Sequence, residues 1–123
     1  MKTAIMCLML AFLGGSALAQ SKVATRQGAF AQLRALDTIT GLVEDIELPV
    51  GDTTVYERLM ISVRECRYPK ENIAADAFAY LVIRDVREAA PVFEGWMIAS
   101  SPALSALEHP RYDVWVLRCK NPE

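Results

Sequence analysis

The chain has 123 residues, of which 53% are hydrophobic and 23% charged, and its formal net charge is −2. This length suits one globular domain, and the composition excludes intrinsic disorder, a collagen-like fibre and a protein with several membrane spans. The weakly acidic balance offers no basic surface for nucleic acid.

The first 19 residues are typical of a secretory signal peptide. Lys2 precedes an unbroken apolar run over residues 4–13, and residues 17–19 (ALA) present small side chains at the two positions that a signal peptidase reads. The run is too short to cross a bilayer, which needs about 20 residues. We therefore predict cleavage after Ala19, export to the periplasm and no membrane span in the mature chain. An uncleaved membrane anchor is the alternative.

Cysteine usage agrees with export. Cys7 leaves with the signal peptide, so the mature chain holds Cys66 and Cys119. In an oxidising compartment an even pair of cysteines usually forms a disulfide. A metal site would need more ligands at close spacing, and a redox pair would show C-x-x-C spacing. The sequence therefore predicts a structural disulfide.

Strands dominate the rest of the chain. Residues 20–35 are mostly small and polar, which is typical of a mobile leader, so the domain is expected to span residues 36–120. The run at residues 77–86 is nearly continuously apolar, as expected of a central strand covered on both faces. From β-branched content and apolar alternation, the predicted strands are residues 38–48, 53–56, 59–66, 77–86, 92–98 and 112–119.

One short helix is expected before the last strand. Ser101 is a preferred N-cap and Pro102 a preferred first helical residue, so residues 102–108 predict a helix. Leu104 and Leu107 recur at helical spacing and are expected to anchor it in the core. The whole pattern predicts an all-β, mainly antiparallel fold, a small sandwich or barrel of about six to seven strands. The disulfide would tie the third strand to the last.

Three blocks of sequence are similar to a known family. They are Leu33–Asp37 running into Thr38–Gly41, the strand end Val63–Cys66, and the long block Gly95–Leu117 (GWMIASSPALSALEHPRYDVWVL). The third block closely resembles the C-terminal signature of the alphaproteobacterial family called domain of unknown function 2155, and the resemblance covers about residues 33–120. It implies a small exported protein with a cysteine in each of two late blocks, and it implies no activity.

Candidate catalytic residues lie around His109, the only histidine. A hydrolase would need a nucleophile and an acid near it, and the neighbours in sequence are Ser100, Ser101, Ser105, Glu108 and Asp113. Ser101 is better explained as a helix cap, and adjacent residues such as Glu108 and His109 do not face each other on a helix. No G-x-S-x-G motif is present. We assign no catalytic residue, expect His109 to be a partly exposed helix-end residue, and keep a minor hydrolase as a remote alternative.

Metal and cofactor sites are not predicted. Glu44, Asp45 and Glu47 cluster on one strand, but alternation turns Glu44 to the opposite face, which favours a solvated acidic surface over a calcium site. The sequence has no glycine loop for phosphate and no dinucleotide fingerprint. Trp115 lies between two valines and is expected in the core, although aromatic residues could also stack on a sugar or peptide. We therefore expect no cofactor and no metal.

These exclusions favour a non-enzymatic accessory protein that binds another cell-envelope protein or an inner-membrane complex. The alternative is a ligand-binding domain for a glycan or a peptidoglycan fragment. The segment from Gly95 to Tyr112 is the expected recognition surface, because tyrosine, tryptophan and arginine dominate binding hot spots. Its predicted partner-binding residues are Trp96, Ser100, Ser105, Glu108, His109, Arg111 and Tyr112. On this hypothesis, alanine at both Arg111 and Tyr112 would leave thermal stability nearly unchanged.

Overall fold

The computed structural model describes residues 23–123, so the predicted signal peptide and its cleavage site lie outside the described residues. Within them the chain forms eight strands in two antiparallel sheets that pack face to face, which confirms the all-β prediction and selects the sandwich. The strands are β1 (Thr25–Gln27), β2 (Phe30–Asp37), β3 (Val43–Pro49), β4 (Thr53–Tyr56), β5 (Leu59–Pro69), β6 (Phe78–Asp85), β7 (Phe93–Ile98) and β8 (Tyr112–Lys120).

The two sheets differ in size. The larger sheet has the order β1-β5-β6-β7, and β4 pairs with the same edge of β5 that β1 uses. The long strand β5 pairs with β4 along its first residues and with β1 at its end. The smaller sheet has the order β3-β2-β8. The described chain therefore passes between the sheets three times: between β1 and β2, between β3 and β4, and between β7 and β8.

The prediction of a mobile leader over residues 20–35 is wrong for most of that range. Residues 25–27 form β1, and residues 30–35 belong to β2. Ala31, Leu33 and Ala35 have no exposed surface and lie in the core between the sheets. Small apolar residues that alternate with polar ones form a half-buried strand, because strand formation depends on the period of the pattern rather than on side-chain size.

The predicted strand over residues 38–48 begins later than expected. Asp37 ends β2, and its carboxylate accepts the backbone N–H groups of Ile39 (3.0 Å) and Thr40 (3.3 Å). Gly41 adopts a φ of +75°, a conformation that glycine reaches without strain. The chain reverses here, and β3 starts only at Val43. The β-branched residues of this segment thus form a hairpin turn.

The predicted helix shrinks to a single 3₁₀ turn, Pro102–Leu104. The Ser101 side chain makes no capping hydrogen bond, and Ser105 returns to extended backbone. Leu107 is buried as predicted, whereas Leu104 is exposed. A helix of two turns is marginal in water, so the buried contact of Leu107 decides the local path instead.

The remaining strands lie close to their predicted positions. β4 matches its expected bounds, and β5 continues three residues past Cys66 to Pro69. β6 lies between β5 and β7 as a central strand, but only one of its faces is fully covered. Leu81 and Ile83 have no exposed surface, whereas Arg84 on the other face is exposed.

The predicted disulfide joins Cys66 of β5 to Cys119 of β8, with a Cα–Cα distance of 5.7 Å. It therefore links the two sheets to each other rather than holding two strands of one sheet. Small residues surround it: Ala79 pairs with Cys66 across the sheet, and Ala31 pairs with Cys119. A Cβ on Gly28 would lie 2.8 Å from the Cβ of Cys119, so glycine lets the chain pass directly over the bridge.

Removing this bridge should destabilise the domain. Because the cysteines are 53 residues apart, the chain-entropy model predicts that Cys66→Ala/Cys119→Ala lowers the free energy of unfolding by about 4 kcal/mol. Urea unfolding measures this loss. The parent protein under reducing conditions is the control and should lose a similar amount. A loss below about 1 kcal/mol in both would contradict the prediction.

Candidate functional site

Opposite the disulfide, the far end of the sandwich carries a buried network of polar side chains. β2 ends there at Asp37, β6 ends at Asp85, and β8 begins at Tyr112. The segment between β7 and β8 brings His109 and Arg111 to the same end. We call these five residues, Asp37, Asp85, His109, Arg111 and Tyr112, the polar network.

His109 is the centre of this network. Its side chain is only 3% exposed, and its Nε2 lies 3.0 Å from Oδ2 of Asp85. Its Nδ1 accepts the backbone N–H groups of Arg111 (3.0 Å) and Tyr112 (3.2 Å). Since Nδ1 is an acceptor, the ring hydrogen lies on Nε2 and is donated to Asp85. The imidazole thus fixes the start of β8 to the end of β6. The residue as a whole is half-buried, but its ring has almost no exposed surface.

The Asp85 carboxylate accepts hydrogen bonds from two residues, Arg87 and His109. Its carboxylate accepts the Arg87 backbone N–H (2.9 Å) and two guanidinium N–H groups of the same arginine (3.1 and 3.0 Å), besides the His109 ring. Hydrogen bonds from the Arg87 side chain, and then from His109, hold the pKa of Asp85 far below its usual range. A buried aspartate is stable here because charged and polar donors replace its water.

Arg111 binds Asp37 with a forked pair of hydrogen bonds, with Nη2 2.9 Å and Nε 3.2 Å from Oδ2. This contact lowers the pKa of Asp37 to about 2, with further help from the backbone N–H groups of Ile39 and Thr40. Thr38 completes the connection, since its backbone N–H and its hydroxyl both donate to the Arg111 carbonyl (2.9 and 2.7 Å). The hairpin turn after β2 is therefore held to the start of β8.

Tyr112 packs beneath these ion pairs and has almost no exposed surface. Its ring meets the ring of Tyr56 edge-on at 5.6 Å and lies 5.0 Å from the His109 ring. The guanidinium groups of Arg58 and Arg111 lie 5.6 and 5.4 Å from its centroid, within cation–π range. Tyr112 is thus a core residue shared by both sheets.

An exposed apolar surface lies directly on this network. Ile39, Leu42 and Val43 are 72%, 71% and 56% exposed; the first two belong to the turn that Asp37 and Arg111 hold, and Val43 begins β3 directly after it. We call these three residues the hairpin tip. Beside it lies a hollow of about 410 Å³, whose lining includes Leu42, Val43, Tyr56, Glu57 and Arg111. The sequence did not predict the tip, because its β-branched residues favour a strand.

The structure separates the predicted partner-binding residues. His109 and Tyr112 are buried, and Arg111 is committed to Asp37, so these three position the chain rather than form a rim. Trp96 is 40% exposed on β7, where it meets Tyr80 edge-on at 5.4 Å. The other three lie on the segment between β7 and β8: Ser100 and Glu108 are exposed, and Ser105 is half-buried.

The serines do not assemble with His109. The Ser100 hydroxyl donates to Asp76 at 2.7 Å, and no serine hydroxyl within residues 23–123 hydrogen-bonds to the imidazole. A general base needs a free nitrogen within reach of the nucleophile, yet both nitrogens of His109 are engaged by Asp85 and the backbone. The geometry of His109 is that of a structural residue.

Two of the three acidic side chains of β3 form ion pairs. Asp45 receives a forked contact from Arg34 (2.7 and 3.0 Å), and Glu47 pairs with Lys120 (2.7 Å). Glu44 faces the other way, as alternation predicts. The described part of the chain has no group of three or more side chains suited to a metal ion. Trp115, expected in the core, is half-buried and pairs with Arg34 across the sheet.

The fold and the site define a class: a small disulfide-linked β-sandwich with a buried polar network at one end. The chain belongs to the family of uncharacterized proteins conserved in bacteria that is designated DUF2155, whose model matches residues 31–119. It is also similar to an uncharacterized protein of Rickettsia prowazekii (strain Madrid E), with 28% identity over 88 residues. That similarity covers 69% of this chain and 57% of the Rickettsia protein. No solved structure matches the chain.

Within residues 23–123, no helix combines the length and the hydrophobicity needed to cross a bilayer.

Because Tyr112 is buried, its replacement by alanine should destabilise the domain, contrary to the expectation from the sequence. Tyr112→Ala should lower the free energy of unfolding by about 3 kcal/mol or more, because it empties a site packed from both sheets. Urea unfolding measures the loss, and Arg111→Ala/Tyr112→Ala should lose at least as much. Tyr112→Phe is the matched control, since it keeps the ring and should retain most of the stability. An alanine variant within about 1 kcal/mol of the parent would contradict this packing.

The Asp37–Arg111 pair should make the free energy of unfolding depend on pH in the acidic range. The pKa of Asp37 is about 2 in the folded chain and about 3.9 in an unfolded one, so the unfolded state binds more protons between these values. The pair therefore stabilises fully above about pH 4 and progressively less as the pH falls towards 2. The difference in free energy of unfolding between the parent and Asp37→Asn should shrink over this interval. A difference that stays constant from pH 6 to pH 2 would contradict the assignment.

Proposed function

We propose that this protein is an exported, non-enzymatic accessory protein that binds another protein of the cell envelope, or an inner-membrane complex, through the hairpin tip. The observation that carries the proposal is the exposure of Ile39, Leu42 and Val43 on a turn whose backbone is held by Asp37 and Arg111. Large apolar side chains that cluster in water without reaching the core are typical of interaction surfaces.

The rigidity of the turn that carries the hairpin tip also favours a binding role. Ordering a loop during association costs free energy, and a preorganised loop avoids that cost. The turn is already held by the Asp37 carboxylate, by the Gly41 N–H to the Asp37 carbonyl (2.8 Å) and by the Thr38 contacts to Arg111. Buried polar groups thus hold a turn that exposes aliphatic side chains to water. This arrangement favours a binding role for the tip.

The chemistry of the tip favours a protein partner. Sites for sugars combine aromatic faces with hydrogen-bonding groups, whereas the tip presents aliphatic side chains. Glu44 and Glu57 line the adjacent hollow and would repel an anionic bilayer. The hollow could take an apolar side chain of a partner between Leu42 and Tyr56. Glycan binding is therefore the weaker alternative.

Site-specific photo-crosslinking in intact cells tests the proposal. A photoreactive amino acid at Ile39 should form a covalent product with a discrete envelope protein, and Leu42→Asp should remove that product by placing a charge in the interface. The recovered chain should lie in the periplasmic fraction and begin at Gln20. Leu42→Asp should not change the melting temperature by more than about 2 °C, because Leu42 is exposed.

The same photoreactive group at Val23, which is 62% exposed, is the matched control and should give no such product. Crosslinks from Ile39 to glycan or lipid, or a product that Leu42→Asp leaves intact, would contradict the proposal. A recovered chain that begins at Met1 would contradict export.

A further inference from the structure

β8 is an edge strand with one open side. It pairs with β2 alone, and no other strand in the described part of the chain pairs with it. The Thr38 N–H donates to the Arg111 carbonyl (2.9 Å), which fixes the phase of the ladder between β2 and β8. In an antiparallel pair, alternate residues bond to the partner strand. The backbone groups of Asp113 and Trp115 therefore point to β2, and those of Val114 and Val116 point outward.

An apolar groove follows this open side. It has a volume of about 360 Å³, and its lining, which we call the β8 groove, consists of Pro102, Ala106, Leu107, Asp113, Val114 and Trp115. Leu107 is buried and holds the segment before β8 in place, so the groove has a fixed wall opposite the strand edge. The groove is independent of the hairpin tip, since the two share no residue.

The one charged side chain in the lining of the groove is acidic. Asp113 lines it and is exposed, and Glu108 is exposed on the adjoining segment. Neither carboxylate takes part in an ion pair within residues 23–123. A strand that paired with β8 would place alternate side chains beside Leu107 on the inner side and beside Asp113 on the outer side.

We propose that the β8 groove binds an extended peptide segment of another protein by strand addition to the open edge of β8. The peptide backbone would bond to the outward N–H and C=O groups of Val114 and Val116, which extends the smaller sheet by one strand. Its side chains alternate between apolar residues, which enter the groove against Ala106 and Leu107, and basic residues, which lie beside Asp113. This second surface adds to the proposed function a partner of defined chemistry, an extended basic and apolar segment.

The test uses a capped eight-residue peptide that alternates valine and lysine, titrated against the mature protein. Two matched derivatives carry N-methyl groups on the valine amides or on the lysine amides. Only one of these sets can face β8 in an added strand, so one derivative should bind about tenfold or more weakly, as the loss of two hydrogen bonds implies, and the other within about threefold of the parent. The backbone N–H groups of Val114 and Val116 should become protected from hydrogen exchange.

Variants of the protein test whether the peptide binds in the β8 groove. Ala106→Trp should weaken binding by filling the groove, and Asp113→Lys should weaken it by reversing the local charge. Glu71→Lys, an exposed change on the loop between β5 and β6, is the charge control and should have a smaller effect. Leu42→Asp should leave peptide binding unchanged.

Several results would overturn strand addition. These are the absence of saturable binding at about 1 mM peptide, equal losses for the two methylated derivatives, and binding that Ala106→Trp leaves intact. Because the hairpin tip is tested by crosslinking at Ile39, the peptide can fail while that crosslink persists, and each proposal can fail separately.

Discussion

The imidazole of His109 holds the last passage of the chain from the larger sheet to the smaller one, between β7 and β8. It accepts two backbone N–H groups at the start of β8 and donates to Asp85 at the end of β6, so one ring sets the position of β8 relative to β6. Buried polar groups are costly when unpaired, and this ring is paired at both nitrogens. This contact places the start of β8, and β8 then pairs with β2 alone among the described strands, so its other edge stays open.

Two clamps of different chemistry hold the sandwich at its two ends. The disulfide between Cys66 and Cys119 joins the sheets covalently at the end where Gly28 and small alanines allow close approach. The polar network joins them at the other end through the contact between His109 and Asp85, and the Asp37–Arg111 pair holds the turn after β2 to the start of β8 within the smaller sheet. With both ends held, the hairpin tip and the β8 groove can remain exposed on rigid backbone without loss of the fold.

Alternating hydrophobicity predicted most of the strands, because a strand with one buried face has a period of two whatever its tertiary neighbours. The same rule explains the leader: Ala31, Leu33 and Ala35 alternate correctly, but alanine contributes too little hydrophobic signal to be recognised. The turn after β2 was missed for the opposite reason. Its β-branched residues have strand propensity, and the Asp37 carboxylate together with Gly41 overrides that propensity.

The sequence by itself determined the strand content and the cysteine pair, since these depend on local pattern and residue type, and it predicted a recognition surface over the segment from Gly95 to Tyr112. Only the tertiary structure decided what that segment does. His109, Arg111 and Tyr112 find their partners 24 to 74 positions away, at Asp85, Asp37 and Tyr56. Whether an arginine or tyrosine contacts a partner protein or the chain's own core depends on such distant neighbours, and chain packing, rather than local pattern, brings them together.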